Sequence, residues 1–232
     1  MTHEMVCDIL GKSELFSGLD FQELDKIVSA CRLTFWKKSM DIDNDEGIET
    51  FNIVVQGRVK LMQTDPHSGR SIVIFLLKEG DVFDVLSLLD GQKHIASPVA
   101  VSDTYMLRVP MATARNWLET YPELNERFLP YIGKLMRHLE SFAETVVFDD
   151  TATRLAKLIL RHTEKEKKSG ENHYPVKIIN NLSHELLAEM IGSVRSVVTA
   201  QLRKLKEDEI ILYKRGYLAV KKLEELAKRY NL

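Results

Sequence analysis

The sequence predicts an α+β protein with an N-terminal antiparallel β domain, a long connecting helix and a C-terminal helical domain. Short apolar or alternating runs separated by turn residues fill 35–109, which is typical of antiparallel barrels and sandwiches. A strict apolar heptad follows over 128–146, and helical apolar spacing returns after 150. A chain of 232 residues can form two domains. We expect boundaries at 1–110, 111–148 and 149–232.

The composition excludes several classes of protein. A hydrophobic fraction of 44% is too high for a disordered chain. The sequence contains no run of eighteen apolar residues, the length needed to span a membrane. Met1–Leu10 lacks the basic start and apolar run of a secretory signal. Cys7 and Cys31 are too few for a disulfide scaffold or a four-cysteine iron–sulfur cluster, and their spacing predicts no metal site. We therefore expect a cytoplasmic protein.

The charge is distributed unevenly between the two parts. Residues 150–232 hold 17 Lys and Arg against 11 Asp and Glu, a balance of +6, whereas 1–149 carry −8 within the net −2. A basic C-terminal third on an acidic body indicates that this third binds a polyanion.

The elements of the N-terminal domain can be assigned in order. Residues 8–30 have the apolar spacing of a short helix pair, with Asp20 as N-cap of the second helix. Apolar runs at 53–55, 59–62, 72–77 and 105–107 predict strands, and Gly- and Asp-rich turns separate them. We expect a jelly-roll-like β-roll.

A long helix after Pro110 carries a continuous apolar seam. Pro130 predicts a kink or a helix start there, because it removes a backbone donor. A strict heptad favours pairing with a second copy of the same helix. The expected dimer interface consists of Phe128, Ile132, Leu135, Leu139, Phe142 and Val146.

The C-terminal domain reads as helix, tight turn and helix, followed by a hairpin. Asp149-Asp150-Thr151 can cap a first helix, and 163–174 is expected to be a solvated loop. Ser183 can cap a helix to Met190, Gly192 suits the turn, and Ser193 can cap a second helix. Val194, Val198, Leu202 and Leu205 would face inward.

This arrangement predicts a winged helix-turn-helix that binds DNA. The outward face of the second helix is small and polar at its start and basic towards its end, which suits base edges and phosphates respectively. The expected DNA-binding residues are Ser183, Ser193, Arg195, Ser196, Thr199, Ala200, Arg203, Lys214 and Arg215. A helical hairpin that binds protein in a sensory or scaffold dimer remains an alternative.

The chain resembles Crp/Fnr-type transcription regulators over about residues 14–220. The similar segments are the LF-x-GL signature (15–19), FNIVVQGRVKLM (51–62), LLKEGDVF (76–83), YPELNERF (121–128), FDDTATRLAKLIL (148–160) and LLAEMIGSVRSVVTAQLRKLKEDEII (186–211). The resemblance implies a homodimer that senses an effector in its β-roll and binds double-stranded DNA and RNA polymerase. It implies no enzymatic activity.

The departures from the family pattern concern the effector. Val85 stands where the family's ribose-binding glutamate would be, and Ile95-Ala96 where its phosphate-binding arginine–serine pair would be. An anion buried without its arginine costs several kcal/mol, so the sequence argues against cyclic AMP. In the recognition helix, Ser196 and Ala200 replace the usual glutamate and later arginine. The expected effector pocket comprises Phe83, Val85, Leu86, Ile95, Ala96, Leu135 and Leu139.

Haem is an open alternative for the effector site. Some relatives bind haem in this pocket, and His3, His94 and His138 are candidate axial ligands. The iron–sulfur branch of the family is excluded by the two cysteines. A metal-dependent cupin enzyme lacks support, since His67 and His94 stand alone in their strands and turns.

Overall fold

The computed structural model describes residues 1–41, 49–93, 95–166, 173–214 and 216–232. They form two compact units. The first comprises Met1–Gln63 and Ile74–Leu139, and the second comprises Thr64–Val73 and Glu140–Leu232.

The first unit begins with two capped helices, α1 (His3–Gly11) and α2 (Phe21–Ser29). The Asp20 side chain accepts the Glu23 amide while the Glu23 carboxylate accepts the Asp20 amide, which confirms the predicted cap as a reciprocal capping box. Helix α1 starts earlier than the predicted residue 8, because the Thr2 hydroxyl accepts the amide of Met5.

Two antiparallel sheets form the β-roll and confirm the predicted fold class. The four-stranded sheet has the order β1-β7-β2-β5, and the three-stranded sheet has the order β4-β3-β6. A one-and-a-half-turn helix, α3 (Val85–Asp90), follows β5 and was not expected from the sequence. The strands are β1 (Arg32–Trp36), β2 (Thr50–Gln56), β3 (Val59–Thr64), β4 (Ser71–Leu77), β5 (Val82–Phe83), β6 (Ser97–Ala100) and β7 (Thr104–Pro110).

The alternation of side chains on β2 and β7 separates two apolar clusters. Ile53 and Leu107 belong to the larger cluster, which packs against the helices of this unit and includes Trp117. Val54 and Met106 belong to a smaller cluster inside the roll with Trp36 at its edge. Both tryptophans of the chain therefore lie in the first unit.

The helical part of the first unit leads into the longest helix of the chain. Helix α4 (Met111–Thr120) precedes α5 (Pro122–Phe148), which has 27 residues. Pro130 lies inside α5, so the helix starts at Pro122 and not at Pro130. Pro122 occupies the first helical position, where a missing amide proton costs no hydrogen bond.

The residues of the expected seam of α5 differ in burial. Phe128 is only 3% exposed and belongs to the core of the first unit, and Leu135 packs against that core. Phe142 is half-buried and lines a small cavity with α6 and α7 residues of the second unit. Of these three side chains, only that of Phe128 is fully buried. The exposed stripe follows Leu129, Ile132, Met136, Leu139, Ala143 and Val146, of which Ile132 and Val146 are half-buried.

The second unit contains helix α6 (Thr151–Arg161), and the Asp150 side chain caps it as predicted by accepting the amide of Thr153 at 2.7 Å. The predicted loop 163–174 is partly wrong, because Tyr174 begins β8 and Thr163 bridges to Val176; residues 167–172 lie outside the described part. A three-stranded sheet of order β8-β10-β9 completes the unit. The remaining elements are β8 (Tyr174–Pro175), α7 (His184–Met190), α8 (Arg195–Glu207), β9 (Ile211–Lys214), β10 (Tyr217–Val220) and α9 (Leu223–Arg229).

Candidate nucleic-acid interface

Helices α7 and α8 form the predicted pair with a tight turn between them. The Ser183 hydroxyl accepts the amide of Leu186 at 3.2 Å and caps α7. Gly192 adopts a φ of +62° in the turn, a conformation that costs a side-chain-bearing residue about 1–2 kcal/mol. Leu186 and Leu187 are buried, so α7 is fixed to the body of the unit.

The start of α8 differs from the prediction. Val194, and not Ser193, is the N-cap residue, since its carbonyl accepts the amides of Val197 and Val198. Ser193 instead donates its amide to the carbonyl of Ala188 at 2.9 Å, within the turn. Val194 is 51% exposed and does not face inward as expected.

The outward face of α8 is exposed along its length. Val198, Leu202 and Leu205 are buried on the opposite side, as predicted. Because no acidic side chain lies in the first turn of α8, the positive helix N-terminus and the Arg195 guanidinium reinforce each other towards an anion. The exposed positions are Arg195, Ser196, Thr199, Ala200, Arg203, Lys204 and Lys206.

His184 connects α7, α8 and the hairpin, which the sequence reasoning missed. Its Nδ1 lies 2.7 Å from Thr199 Oγ1, and its Nε2 lies 2.8 Å from the Tyr213 hydroxyl. The Thr199 hydroxyl donates to the Arg195 carbonyl at 2.8 Å, so it must accept from Nδ1–H. Burial, and then the Arg195 charge, lower the pKa of His184. The imidazole is therefore neutral at pH 7, and its Nε2 accepts from Tyr213.

The predicted hairpin is present and its geometry requires glycine at the tip. Strands β9 and β10 pair in register from Lys214↔Tyr217 to Ile211↔Val220. Gly216 adopts a φ of +69°, and a Cβ there would lie 2.5 Å from Asn181 Oδ1. Lys214 is exposed, whereas Arg215 lies outside the described residues. The hairpin beside α8 has the arrangement of a wing.

Arg154 on α6 fixes the end of the long helix to the helix pair. Its guanidinium donates to the carbonyls of Val146 (2.7 Å) and Asp149 (3.0 Å) at the end of α5, and to that of Ile191 (3.1 Å) just after α7. Carbonyls at the end of a helix lack partners within that helix, and the guanidinium supplies donors there. One side chain therefore binds the ends of two helices within the second unit.

The residues of the expected effector pocket differ widely in burial. Phe83 lies in the cluster inside the roll and Val85 in the larger core. Leu86 is 61% and Ile95 79% exposed. Ala96 is half-buried, and Leu135 and Leu139 lie on α5 as described above.

A polar network instead occupies one end of the roll. Asn52 donates to the buried Asp84 at 2.6 Å, and Arg108 donates to Asn52 Oδ1 at 3.2 Å and to Thr50 Oγ1 at 3.1 Å. The Arg108 guanidinium lies 5.7 Å from the centre of the Trp36 ring. Arg108 also lines a cleft of about 800 Å³ with residues of β1 and β7.

The candidate haem ligands make protein contacts through their ring nitrogens. His3 Nε2 lies 2.8 Å from Asp25 Oδ1. His138 Nε2 lies 2.9 Å from the Ile74 carbonyl, and its ring stacks on Phe75 at 4.8 Å. His94 lies outside the described residues.

None of the helices that the structure describes has the length and apolar composition of a membrane span.

Comparisons with known proteins agree with this architecture. Residues 42–121 match the cyclic nucleotide-binding domain, and residues 153–229 match the Crp-like helix-turn-helix domain. The global nitrogen regulator of Synechococcus elongatus is 33% identical over 168 residues, which is 70% of this chain and 73% of that protein. The cyclic AMP receptor protein of Thermus thermophilus is 26% identical over 93% of this chain and 97% of that protein.

The fold is also found among solved structures. A mutant of CooA from Carboxydothermus hydrogenoformans superimposes with a TM-score of 0.75 at 19% identity, covering 88% of this chain and 90% of that one. The relatives matched in sequence are transcription regulators and not enzymes. The chain has a β-roll, a long helix and a winged helix-turn-helix in this order, and it belongs to the Crp/Fnr family of DNA-binding transcription regulators.

Proposed function

We propose that this protein is a homodimeric, effector-responsive regulator that reads DNA with the exposed face of α8. The single observation that carries the proposal is that face, on which Arg195, Ser196, Thr199 and Ala200 form the first turns and the basic residues follow. The N-terminal part of a recognition helix enters the major groove, and its later turns approach the backbone. Arg195 would bind guanine O6 and N7, and Arg203 a phosphate.

A comparison of two arginine variants tests this division. Arg195→Ala should cost about 1–3 kcal/mol at one base pair and relax the preference there. Arg203→Ala should weaken binding to all sequences equally and reduce the salt slope by about one per half-site. Fluorescence anisotropy on a selected operator and its single mismatches, over a salt series, measures both. An equal loss on every sequence for Arg195→Ala would make that residue a phosphate contact.

The His184 contact adds a second element of sequence reading. Since the Thr199 hydroxyl donates to the Arg195 carbonyl and accepts from His184, it has no proton left to donate to a base, and the methyl group of this exposed side chain is free for apolar contact. Ala200 presents another methyl beside it. Adjacent methyl groups suit the 5-methyl of thymine. We expect a thymine next to the guanine contacted by Arg195.

Replacing that thymine by uracil removes only the methyl group. The replacement should weaken binding of the unmodified protein, and Thr199→Ser, which keeps the hydroxyl but lacks the methyl, should respond less to it. Thr199→Val keeps a methyl and serves as the matched variant. If uracil has no effect at any position of the half-site, the methyl contact does not exist.

The homodimer is proposed to form along the exposed stripe of α5. Leu129 and Met136 are 71% and 58% exposed, and Leu139 is 41% exposed. Together with Ile132, Ala143 and Val146, they are spaced 3, 4, 3, 4 and 3 residues apart, which is a heptad seam. Two parallel copies would place the recognition helices in successive major grooves, about 34 Å apart.

A double substitution in this stripe tests the dimer. Met136→Asp with Leu139→Asp should give a monomer in sedimentation and lose cooperative binding to a two-fold operator. Leu86→Asp changes a similarly exposed leucine outside α5 and should remain dimeric. A dimer that persists in the double variant would place the interface elsewhere.

The effector is proposed not to be cyclic AMP. The side chains at the family's ribose and phosphate positions, Val85, Ile95 and Ala96, cannot hydrogen-bond to either group, and Val85 is buried in the core. Calorimetry with cyclic AMP should show no saturable binding. Tight cyclic-AMP binding would contradict the proposal. If Val85→Ala kept that binding and Arg108→Met lost it, Arg108 would hold the phosphate.

Haem is checked by the absorption spectrum of the purified protein, in which a Soret band would establish it.

RNA polymerase is proposed as the protein partner because the family acts on transcription, and cytoplasmic location follows from the same role. A scaffold dimer that binds protein through its C-terminal unit is the competing function. Selection of genomic fragments on the immobilised protein separates the two, because a scaffold would enrich no sequence.

A further inference from the structure

Three side chains of types that can ligate a metal meet between the first two helices, in the first unit. His3 and Cys7 are four residues apart and lie on one face of α1, and Asp25 lies on α2. One ligand atom from each lies within 4.8 Å of the others. His3 Nε2 and Asp25 Oδ1 are only 2.8 Å apart. The sequence predicts no metal site here, because Asp25 is distant from His3 and Cys7 along the chain and only the folding of α2 against α1 brings it to them.

The burial of the three side chains differs in a way that suits a metal site. Cys7 is 1% exposed and its thiol lies within the helix-pair core, whereas the His3 and Asp25 side chains are 45% and 50% exposed. An ion could therefore enter from the solvent between the imidazole and the carboxylate and reach the sulfur at the bottom. The two exposed side chains can move to adjust the distances.

We propose that His3, Cys7 and Asp25 bind one zinc ion or a similar divalent transition metal ion. Sulfur, imidazole nitrogen and carboxylate oxygen are the ligands of protein zinc sites, at about 2.0–2.3 Å. A tetrahedral ion at these distances holds its ligand atoms roughly 3.5 Å apart, so the observed separations require shifts of about 1 Å. Three protein ligands leave the fourth position to water from the exposed side.

Binding would release the proton of the Cys7 thiol to the solvent as the sulfur–metal bond forms. Burial, followed by the charge of Asp25, raises the pKa of this thiol, so the free protein holds that proton at neutral pH. Because binding releases a proton, metal affinity should rise with pH. The ion would join α1 to α2 by a bond that neither helix makes alone.

Titration of the purified full-length protein with Co²⁺ alone tests the proposal, because cobalt–thiolate ligation gives a charge-transfer band in the near ultraviolet. We expect one Co²⁺ per chain, a thiolate band, and displacement by one equivalent of Zn²⁺. Cys31 is the matched control, being a second, half-buried cysteine whose sulfur donates to the Ile27 carbonyl. Cys31→Ser should keep the band, and Cys7→Ser should lose it.

Two further variants keep the test decisive if Cys7→Ser disturbs folding. His3→Gln and Asp25→Asn change half-exposed side chains. Each should lower the affinity for Co²⁺ by more than about 10–100-fold, which is the loss caused by removing a residue that only hydrogen-bonds to a ligand. Absence of a thiolate band, its loss in Cys31→Ser, or unchanged affinity in both His3→Gln and Asp25→Asn would overturn the proposal.

Discussion

The hydrogen bonds of Arg154 allow a quantitative prediction about the stability of the second unit. The guanidinium binds three backbone carbonyls at 2.7–3.1 Å, two at the end of α5 and one after α7. Arg154→Met retains most of the aliphatic stem and removes only these bonds. A hydrogen bond from a charged group contributes about 1.5–3 kcal/mol.

The net loss should be smaller than three such bonds. Arg154 is half-buried, and water can reach helix-end carbonyls once the guanidinium is gone. Taking about 1 kcal/mol per bond gives about 3 kcal/mol. Since 1.36 kcal/mol corresponds to a factor of ten, amides protected by opening of this contact should exchange about 100-fold faster.

Hydrogen exchange of the full-length protein, followed by mass spectrometry, measures this directly. Peptides from α6, α7 and the start of α8 should lose protection in Arg154→Met, while α1 and α2 should be unchanged. Arg203→Met, which removes a 74% exposed guanidinium from the same unit, should alter protection by less than about 0.5 kcal/mol. Unchanged exchange in Arg154→Met, or equal acceleration in both variants, would refute the reasoning.

Three other perturbations have defined outcomes. Asp150→Ala removes the α6 cap and should cost about 1 kcal/mol in urea unfolding at pH 7. Hydrogen bonds from Thr153 lower the pKa of Asp150, so the difference should begin to shrink as pH falls below about 4 and should be lost only below the lowered pKa. His184 has a lowered pKa, so as the pH falls the unfolded state takes up this proton before the folded state does. The free energy of unfolding should therefore decrease as the pH falls below about 6.5, and urea unfolding at several pH values should show a smaller decrease for His184→Gln. Gly216→Ala should weaken operator binding measured by anisotropy, whereas Gly69→Ala, at a similar φ of +66° but with nothing within 4 Å of its Cβ, should not; equal binding by both would show that the wing tip tolerates a side chain.

The elements whose signals are local were predictable from the sequence. The caps at Asp20, Asp150 and Ser183 appeared as expected, because each depends on one side chain and an amide three residues away. The cap at Ser193 failed for the same reason in reverse: its amide is held by the Ala188 carbonyl in the turn, which shifts the helix start to Val194.

Features that join distant parts of the chain were not predictable. Positions 128 and 129 of α5 both fit a heptad, and only packing against the first unit shows that Phe128 faces inward and Leu129 outward. Tyr213 reaches His184 across 29 residues, and Asp25 reaches His3 across 22. No periodicity within one element encodes such contacts.

The position of the two tryptophans has a consequence for measuring communication within the molecule. Trp36 and Trp117 both lie in the first unit, and the sequence holds no others, so intrinsic tryptophan emission comes from the first unit and not from α8. A change in that emission on adding operator DNA would report a change in the surroundings of these tryptophans in the first unit. By thermodynamic reciprocity, the factor by which an effector alters DNA affinity must equal the factor by which DNA alters effector affinity. Titrations of the unlabelled protein with operator DNA, with and without a candidate effector, would measure this factor.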